Sequence, residues 1–223
     1  MPTHDELQAL ALSLKVAAAG LAASLPPAIA IAFVLARKDF RGKTLFDAIV
    51  HLPLVLPPVV VGYALLILMG TQGPVGSVLE KLGIVLVFRW TGAALAAAIM
   101  GFPLLVRAIR LSIEAVDPRL ELAARTLGAS KTRVFFTVTL PLSMAGLATG
   151  ALLAFARALG EFGATITFVS NIPGETRTLP LAIYTFTQVP GGEAAALRLS
   201  VLSVLLSLGA LAVSEWMIRR RHA

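Results

Sequence analysis

The sequence predicts an all-α polytopic membrane protein with about five transmembrane helices. Of its 223 residues, 57% are hydrophobic and 14% are charged, whereas a soluble domain carries about 25% charged residues. The mean hydropathy is +0.87. The apolar residues form long stretches, and about 20 such residues cross a bilayer as a helix. These observations exclude an ordinary soluble domain and predict one transmembrane domain over residues 1–223.

Five apolar stretches are long enough to cross the membrane. We place the spans at about residues 10–36, 45–70, 91–111, 142–167 and 196–218. Residues 71–90 are too interrupted to cross and predict a loop with one short interfacial helix. A further apolar run, Leu179–Thr187, is too short to cross alone, so it predicts a sixth, short helix on the surface or re-entering the membrane.

The basic residues flank the spans unevenly, and this asymmetry predicts the orientation. The loops 37–44 and 107–140 and the C-terminal tail hold four, six and three Lys or Arg, thirteen in all, against three on the other side. Cytoplasmic loops carry the excess of Lys and Arg. The sequence therefore predicts an extracytoplasmic N-terminus and a cytoplasmic C-terminus. The net charge of +7 follows from this topology, so binding to nucleic acid is not predicted.

Several kinds of chemistry have no residues to support them. There is no cysteine, and the three histidines are scattered at positions 4, 51 and 222, so no metal site, other cofactor or cysteine nucleophile is predicted. A glycine-rich phosphate loop is also missing from the sequence. The chain is therefore not expected to be an enzyme, and any ATP would be hydrolysed by a partner subunit.

One long polar segment, residues 117–141, interrupts the apolar sequence and predicts a short helix with both ends marked. Asp117 can cap the first turn, Pro118 suits the first helical position, and Gly128 can end the helix. Glu121 and Arg125 lie four residues apart and predict an exposed ion pair. The helix of residues 118–127 would be about 15 Å long. Its apolar face of small side chains suits docking onto a partner and consists of Leu120, Ala123, Ala124 and Leu127.

This segment resembles the EAA loop of ABC importer permeases. Ala123-Ala124, Gly128 and the run 138–141 (Val-Thr-Leu-Pro) keep the spacing of that loop, although Leu122 occupies the place of the family's Glu and the acid precedes it. The resemblance implies a type I importer-like bundle with a cytoplasmic coupling loop over 117–141, whose helix enters a groove of the ATPase subunit. The coupling residues it implies are Leu120, Glu121, Ala123, Ala124, Arg125, Leu127, Gly128 and Pro141.

Other segments resemble molybdate permeases in particular. They are the runs 52–63 (LPLVLPPVVVGY), 102–110, 158–164 and 171–176. The resemblance implies a homodimer in the cytoplasmic (inner) cell membrane, two ATP-binding cassette subunits and an extracytoplasmic oxyanion-binding protein. The cargo it implies is molybdate or tungstate. Sulfate permeases share parts of these patterns but are generally longer, so a sulfate-type permease is the alternative.

Two groups of residues are candidates for the transport pathway. Pro57 and Pro58 free backbone carbonyls at membrane depth, which suits either a water-lined path or a packing kink. Arg157 and Glu161 share one face of the fourth span and form either a structural ion pair, the interpretation we favour, or an anion-attracting site. A membrane-embedded enzyme would need a third reactive group beside this pair. A stand-alone carrier built from inverted repeats would need matching halves, which five unequal spans do not provide.

Overall fold

The computed structural model describes residues 3–219, and every regular element in that range is helical. The all-α prediction is therefore confirmed for this part of the chain. Arg220 and Arg221 of the predicted cytoplasmic tail, together with Met1 and Pro2, lie outside the described residues. A π-helical segment, Phe135–Thr139, separates α7 from α8. The α-helices in chain order are α1 (His4–Arg37), α2 (Lys43–Val55), α3 (Pro58–Met69), α4 (Gly76–Lys81), α5 (Trp90–Glu114), α6 (Pro118–Thr126), α7 (Lys131–Val134), α8 (Leu140–Leu142), α9 (Met144–Leu159), α10 (Gly163–Val169), α11 (Leu179–Thr187) and α12 (Glu193–Arg219).

The first and third predicted spans are confirmed as long apolar helices. Helix α1 has 34 residues and α5 has 25, and both are long and apolar enough to cross a membrane. Helix α5 lies at the centre of the bundle, where it packs against α1, α2, α3, α9 and α10. Small residues permit this packing. A Cβ atom added to Gly20 of α1 would lie 2.8 Å from the carbonyl oxygen of Ala94 in α5.

The second predicted span, 45–70, is broken into two helices. Helices α2 and α3 meet at an angle of 111°, with Leu56 and Pro57 in extended conformations between them. Pro57 and Pro58 have no N–H groups, and each disfavours the helical conformation in the residue before it. The prolines therefore break the span, at an angle that the sequence alone did not predict.

The fourth predicted span, 142–167, is also broken. The rod formed by residues 131–142 bends by 67° into α9, and α9 ends at Leu159, before α10 begins at Gly163. Pro141 has no N–H for the helical ladder. The five residues before it, Phe135–Thr139, are wound as a π-helix, a form that often accommodates such a disruption.

The number of spans and the orientation stay predictions. In the described residues two helices qualify as spans, and up to four do if each bent pair counts as one. The predicted fifth span lies within α12. The short helices predicted from the sequence are present as α4 and as α11, which has the predicted bounds Leu179–Thr187.

Polar contacts gather at the two ends of the bundle. At one end Glu6 of α1 binds Arg198 of α12, with 2.6 Å between Oε1 and Nη2, and Lys15 lies 3.7 Å from the ring centre of Trp90. At the other end α6 lies beside the last turn of α1. The polar segment 117–141 is thus held at one end of the bundle, opposite the N-terminus of α1.

Candidate functional site: the capped helix α6 and two paired helix breaks

The predicted docking helix is present with the predicted end signals. The Asp117 carboxylate accepts a hydrogen bond of 2.9 Å from the Arg119 N–H, and Pro118 occupies the first turn. The helix ends at Thr126, one residue earlier than predicted. Gly128 has φ +86°, a conformation that costs little only for glycine. The sequence between Asp117 and Gly128 thus sets the length of α6.

One face of α6, which we call the free face, is largely exposed. Leu127 is 88% exposed and Leu120 is 49% exposed, and Ala123 is exposed between them while Ala124 is half-buried. At about 100° per residue these positions fall on one side of the helix. An apolar face that the bundle leaves uncovered is typical of a docking surface.

The opposite face of α6 is tied to the membrane helices through Glu121. Its Oε1 atom accepts hydrogen bonds from Arg37 Nη2 at 2.9 Å and Nε at 3.1 Å, and from Thr139 Oγ1 at 2.9 Å. The predicted pair between Glu121 and Arg125 is therefore wrong. Arg37, at the end of α1, donates two charge-assisted hydrogen bonds from its guanidinium to this carboxylate, whereas the neighbouring Arg125 does not contact it.

Arg37 extends the connection to the end of α5. Its Nη2 atom also donates to the carbonyl oxygen of Val116 at 2.9 Å, while Thr139 is buried and its carbonyl accepts from Ser143 Oγ at 2.7 Å. We call Arg37, Glu121 and Thr139 the coupling triad. The triad joins α1, α6 and the π-helical segment.

The helices that follow the two pathway candidates lie side by side, although they come from distant parts of the sequence. Helices α3 and α10, which follow the two breaks, pack against each other. A Cβ atom on Gly163 would lie 2.8 Å from Cβ of Pro58, and one on Gly62 would lie 2.5 Å from the carbonyl oxygen of Ala164. Close approach of the two backbones therefore depends on these glycines.

The second break is held by the predicted ion pair. Arg157 Nη1 lies 2.6 Å from Glu161 Oε2, and the side chains are 28% and 2% exposed. The other oxygen of Glu161 accepts a hydrogen bond of 2.7 Å from the Ala164 N–H in the first turn of α10. Glu161 thus joins the end of α9 to the start of α10, as a structural pair would, while a role of Arg157 in transport stays a prediction.

Sequence reasoning missed the partners that come from far along the chain. Arg37 lies 84 residues from Glu121, and Glu6 lies 192 residues from Arg198. No spacing rule connects such positions. Of these four residues, only Glu6 has a structural role that local sequence spacing could indicate, because Thr3 and Glu6 form a capping box at the start of α1.

The loop 171–176 is ordered by its own side chains at the other end of the bundle. Thr176 Oγ1 accepts from the Ile172 N–H at 2.8 Å and donates to the carbonyl of Ser170 at 3.1 Å. Glu175 accepts from the Trp90 N–H at 3.3 Å. This loop therefore closes over the start of α5, away from α6.

A bundle of apolar helices, broken at prolines and glycines and carrying a capped helix with an exposed apolar face at one end, is the architecture expected of a membrane permease subunit. The family described as "Binding-protein-dependent transport system inner membrane component" matches residues 28–222. The chain belongs to this family. It is therefore a multi-pass component of the inner membrane, as the sequence predicted, and a transport subunit.

Relatives and solved structures agree with this membership. The chain is 59% identical over 218 residues to the "Molybdenum transport system permease protein ModB" of Escherichia coli (strain K12), covering 97% of this chain and 95% of that protein. It is 56% identical over 216 residues to the protein of the same name from Haemophilus influenzae, with 96% and 94% covered. The solved structure of a bacterial alginate ABC transporter in complex with an alginate pentasaccharide-bound periplasmic protein has a TM-score of 0.77 at 16% identity, covering 98% of this chain and 80% of that chain. That likeness shows the fold.

Proposed function

We propose that the chain is the membrane-spanning permease subunit of an ATP-driven ABC importer for molybdate or tungstate. Its N-terminus is extracytoplasmic and its C-terminus is cytoplasmic. The observation that supports a subunit driven by a partner is the free apolar face of α6. The other face of this helix is bound to the bundle. Molybdate is proposed as the cargo because both relatives named above are described as molybdenum transport permeases.

The proposed energy source is a pair of ATP-binding cassette subunits that hydrolyse ATP. The sequence lacks a phosphate loop of its own. Closure of the two ATPases would draw together the α6 helices of two permease copies. The coupling triad would then carry that displacement into α1 and the end of α5, which biases the bundle between inward-open and outward-open states.

The proposed assembly is a homodimer with the path between the two copies. Around the helix breaks one side of the bundle is open, because Pro57, Val59, Tyr63 and Gly160 are exposed. A two-fold axis would place the same surface of a second copy against this side. An oxyanion-binding protein on the extracytoplasmic face would deliver the cargo.

The role of Arg157 in this assembly is structural, and Pro57 and Pro58 form the edge of the path. The pair with Glu161 cancels the charge locally, and the buried carboxylate needs the cation. Pro58 lies beside the start of α10, where a change in the angle between α2 and α3 would widen the gap between copies.

Uptake by the reconstituted complex tests the proposed function. Vesicles containing the permease, its ATPase and the binding protein should accumulate labelled molybdate only when ATP is supplied. Unlabelled tungstate should compete and sulfate should compete poorly. Preferential competition by sulfate would support the sulfate-type alternative, and ATP-independent uptake would contradict an importer.

Gly128→Val is expected to uncouple ATP hydrolysis from uptake while leaving the membrane helices folded. A β-branched residue is poorly suited to φ +86°, so the end of α6 must rearrange. Gly128→Asn should keep most activity, because asparagine tolerates this conformation. Molybdate taken up per ATP hydrolysed is the measurement.

Gly42→Val is the matched control for that substitution. Gly42 also has φ +86° with open space around it, but it lies before α2 and outside the coupling loop. It should reduce stability without changing the ratio of uptake to ATP hydrolysis. Equal uncoupling by both variants would show that backbone strain, and not the end of α6, is responsible.

Ala123→Arg is expected to prevent binding of the ATPase, because a long charged side chain would cover the free face of α6. Leu122→Arg is the control, since Leu122 is also exposed but lies on the face turned towards α1. Pull-down of the ATPase by tagged permease should fail for the first variant and succeed for the second. Retention by Ala123→Arg would place the docking surface elsewhere.

A further inference from the structure

A cavity of about 800 Å³ lies behind α6, between the end of α1 and the rod that begins at Lys131. This volume is within the range of about 300–1,000 Å³ that holds small-molecule ligands. It does not belong to the paired helix breaks, which lie between α3 and α10. Its walls have two distinct parts, one cationic and one apolar.

The cationic part carries more positive charge than the chain itself neutralises. Arg37, Lys38, Arg125 and Lys131 line the cavity together with one acid, Glu121. Glu121 is bound to Arg37. In the described part of the chain, Lys38, Arg125 and Lys131 take part in no ion pair. Three cations, one from the residue after α1, one from α6 and one from α7, therefore line the same cavity.

The apolar part continues along α1 towards the membrane interior. Ala30, Phe33 and Val34 line it, and Phe33 meets Phe135 edge to face with 4.9 Å between ring centres. From Arg37 to Ala30 this wall extends about 10 Å along the helix at 1.5 Å per residue. The cavity is thus apolar on the side of the span and cationic at the end of the helix.

We propose that this cavity binds an acidic phospholipid of the cytoplasmic leaflet. The headgroup phosphate lies among Lys38, Arg125 and Lys131. The part of an acyl chain nearest the headgroup lies along Phe33 and Phe135. Basic pockets between membrane helices on the cytoplasmic side suit anionic headgroups, because the phosphate offers charge and the chains supply the apolar contact. A free oxyanion has no apolar part to fill the rest of the cavity.

The docking surface for the ATPase does not compete for this space. Pro118, Glu121, Leu122 and Arg125 face the cavity, whereas Leu120, Ala123 and Leu127 form the free face. At about 100° per residue the two sets lie on roughly opposite sides of α6. A bound lipid therefore braces α6 from behind, beside the coupling triad, and its headgroup bridges three segments.

Lipid retention by the purified permease tests this proposal without requiring transport. We would extract the permease from membranes containing phosphatidylglycerol and phosphatidylethanolamine and identify the retained lipid by native mass spectrometry. The wild type should keep phosphatidylglycerol. The triple variant Lys38→Gln, Arg125→Gln, Lys131→Gln should hold it on the order of a hundredfold more weakly, the effect expected for three charges.

A second triple variant controls for overall charge. Arg41→Gln, Arg119→Gln, Arg133→Gln removes three exposed cations from the same end of the chain but none from the cavity wall, and it should retain the lipid. Equal losses from both variants, or equal retention by both, would overturn the proposal. Displacement of the lipid by inorganic phosphate would indicate a site for the free anion. Displacement on adding the ATPase would assign the cavity to that partner.

Placing the lipid site in the cytoplasmic leaflet rests on the proposed orientation of the chain. The experiments distinguish failure of the lipid site from failure of the proposed transport function. Permease retaining phosphatidylglycerol while the complex imports no molybdate would leave the lipid site standing. Uptake of molybdate by a permease that binds no acidic lipid would overturn the lipid site alone.

Discussion

Arg157→Met is expected to destabilise the permease by about 3–5 kcal/mol, the cost of leaving one partner of a buried ion pair alone. Glu161 is 2% exposed. Without Arg157, its carboxylate would keep the hydrogen bond from the Ala164 N–H but would lose its cation. Glu161→Gln should cost less, because the amide oxygen can still accept from Ala164 and Arg157 is the more exposed partner. Thermal unfolding of the detergent-solubilised protein measures this order.

The double variant separates a structural pair from an anion site. Arg157→Met with Glu161→Gln removes both charges, so stability should recover and uptake should return in part. Arg41→Met is the control for loss of an exposed arginine and should change stability little. A double variant that is stable but cannot transport molybdate would contradict the structural role and place Arg157 in the path.

Glu121→Ala and Arg37→Ala are expected to reduce uptake by ten to about a hundredfold while ATP hydrolysis continues. Each removes hydrogen bonds between charged groups, worth about 1.5–3 kcal/mol, and 1.4 kcal/mol corresponds to a factor of ten. The Glu121–Arg37 contact connects α6 to α1, so its loss frees the coupling helix from the membrane helices. Uptake per ATP hydrolysed, in reconstituted vesicles, is the measurement.

The combined variant and an exposed pair provide the controls. Arg37→Ala with Glu121→Ala should cost clearly less than the sum of the two single changes, because both remove the same ion pair, while each also removes one further hydrogen bond, to Val116 or from Thr139. Asp39→Asn breaks the exposed pair with Lys43 at the same end of the chain and should have almost no effect. Additive losses from the two single changes would show that Arg37 and Glu121 act separately.

The sequence by itself determined the features that depend on neighbouring residues. The lengths of α5 and α11 follow from apolar runs and their flanking residues, and α6 follows from Asp117, Pro118 and Gly128. Such signals act within one or two turns, because a cap satisfies the N–H groups of its own helix and a glycine relieves strain at its own position. The exposed face of Leu120, Ala123 and Leu127 was predictable from helical spacing, which also placed the half-buried Ala124 there.

Only the tertiary structure decided which distant groups meet and how sharply the spans bend. Glu121 has an acceptable partner four residues away in Arg125, yet it binds Arg37 because packing of α1 against α5 brings that guanidinium to the end of the bundle. Likewise Pro57 predicted a break but not its angle of 111°, since the freed segment α3 takes its direction from contact with α10. Local sequence marks where a helix can end, whereas the burial of long-range neighbours determines where the chain goes next.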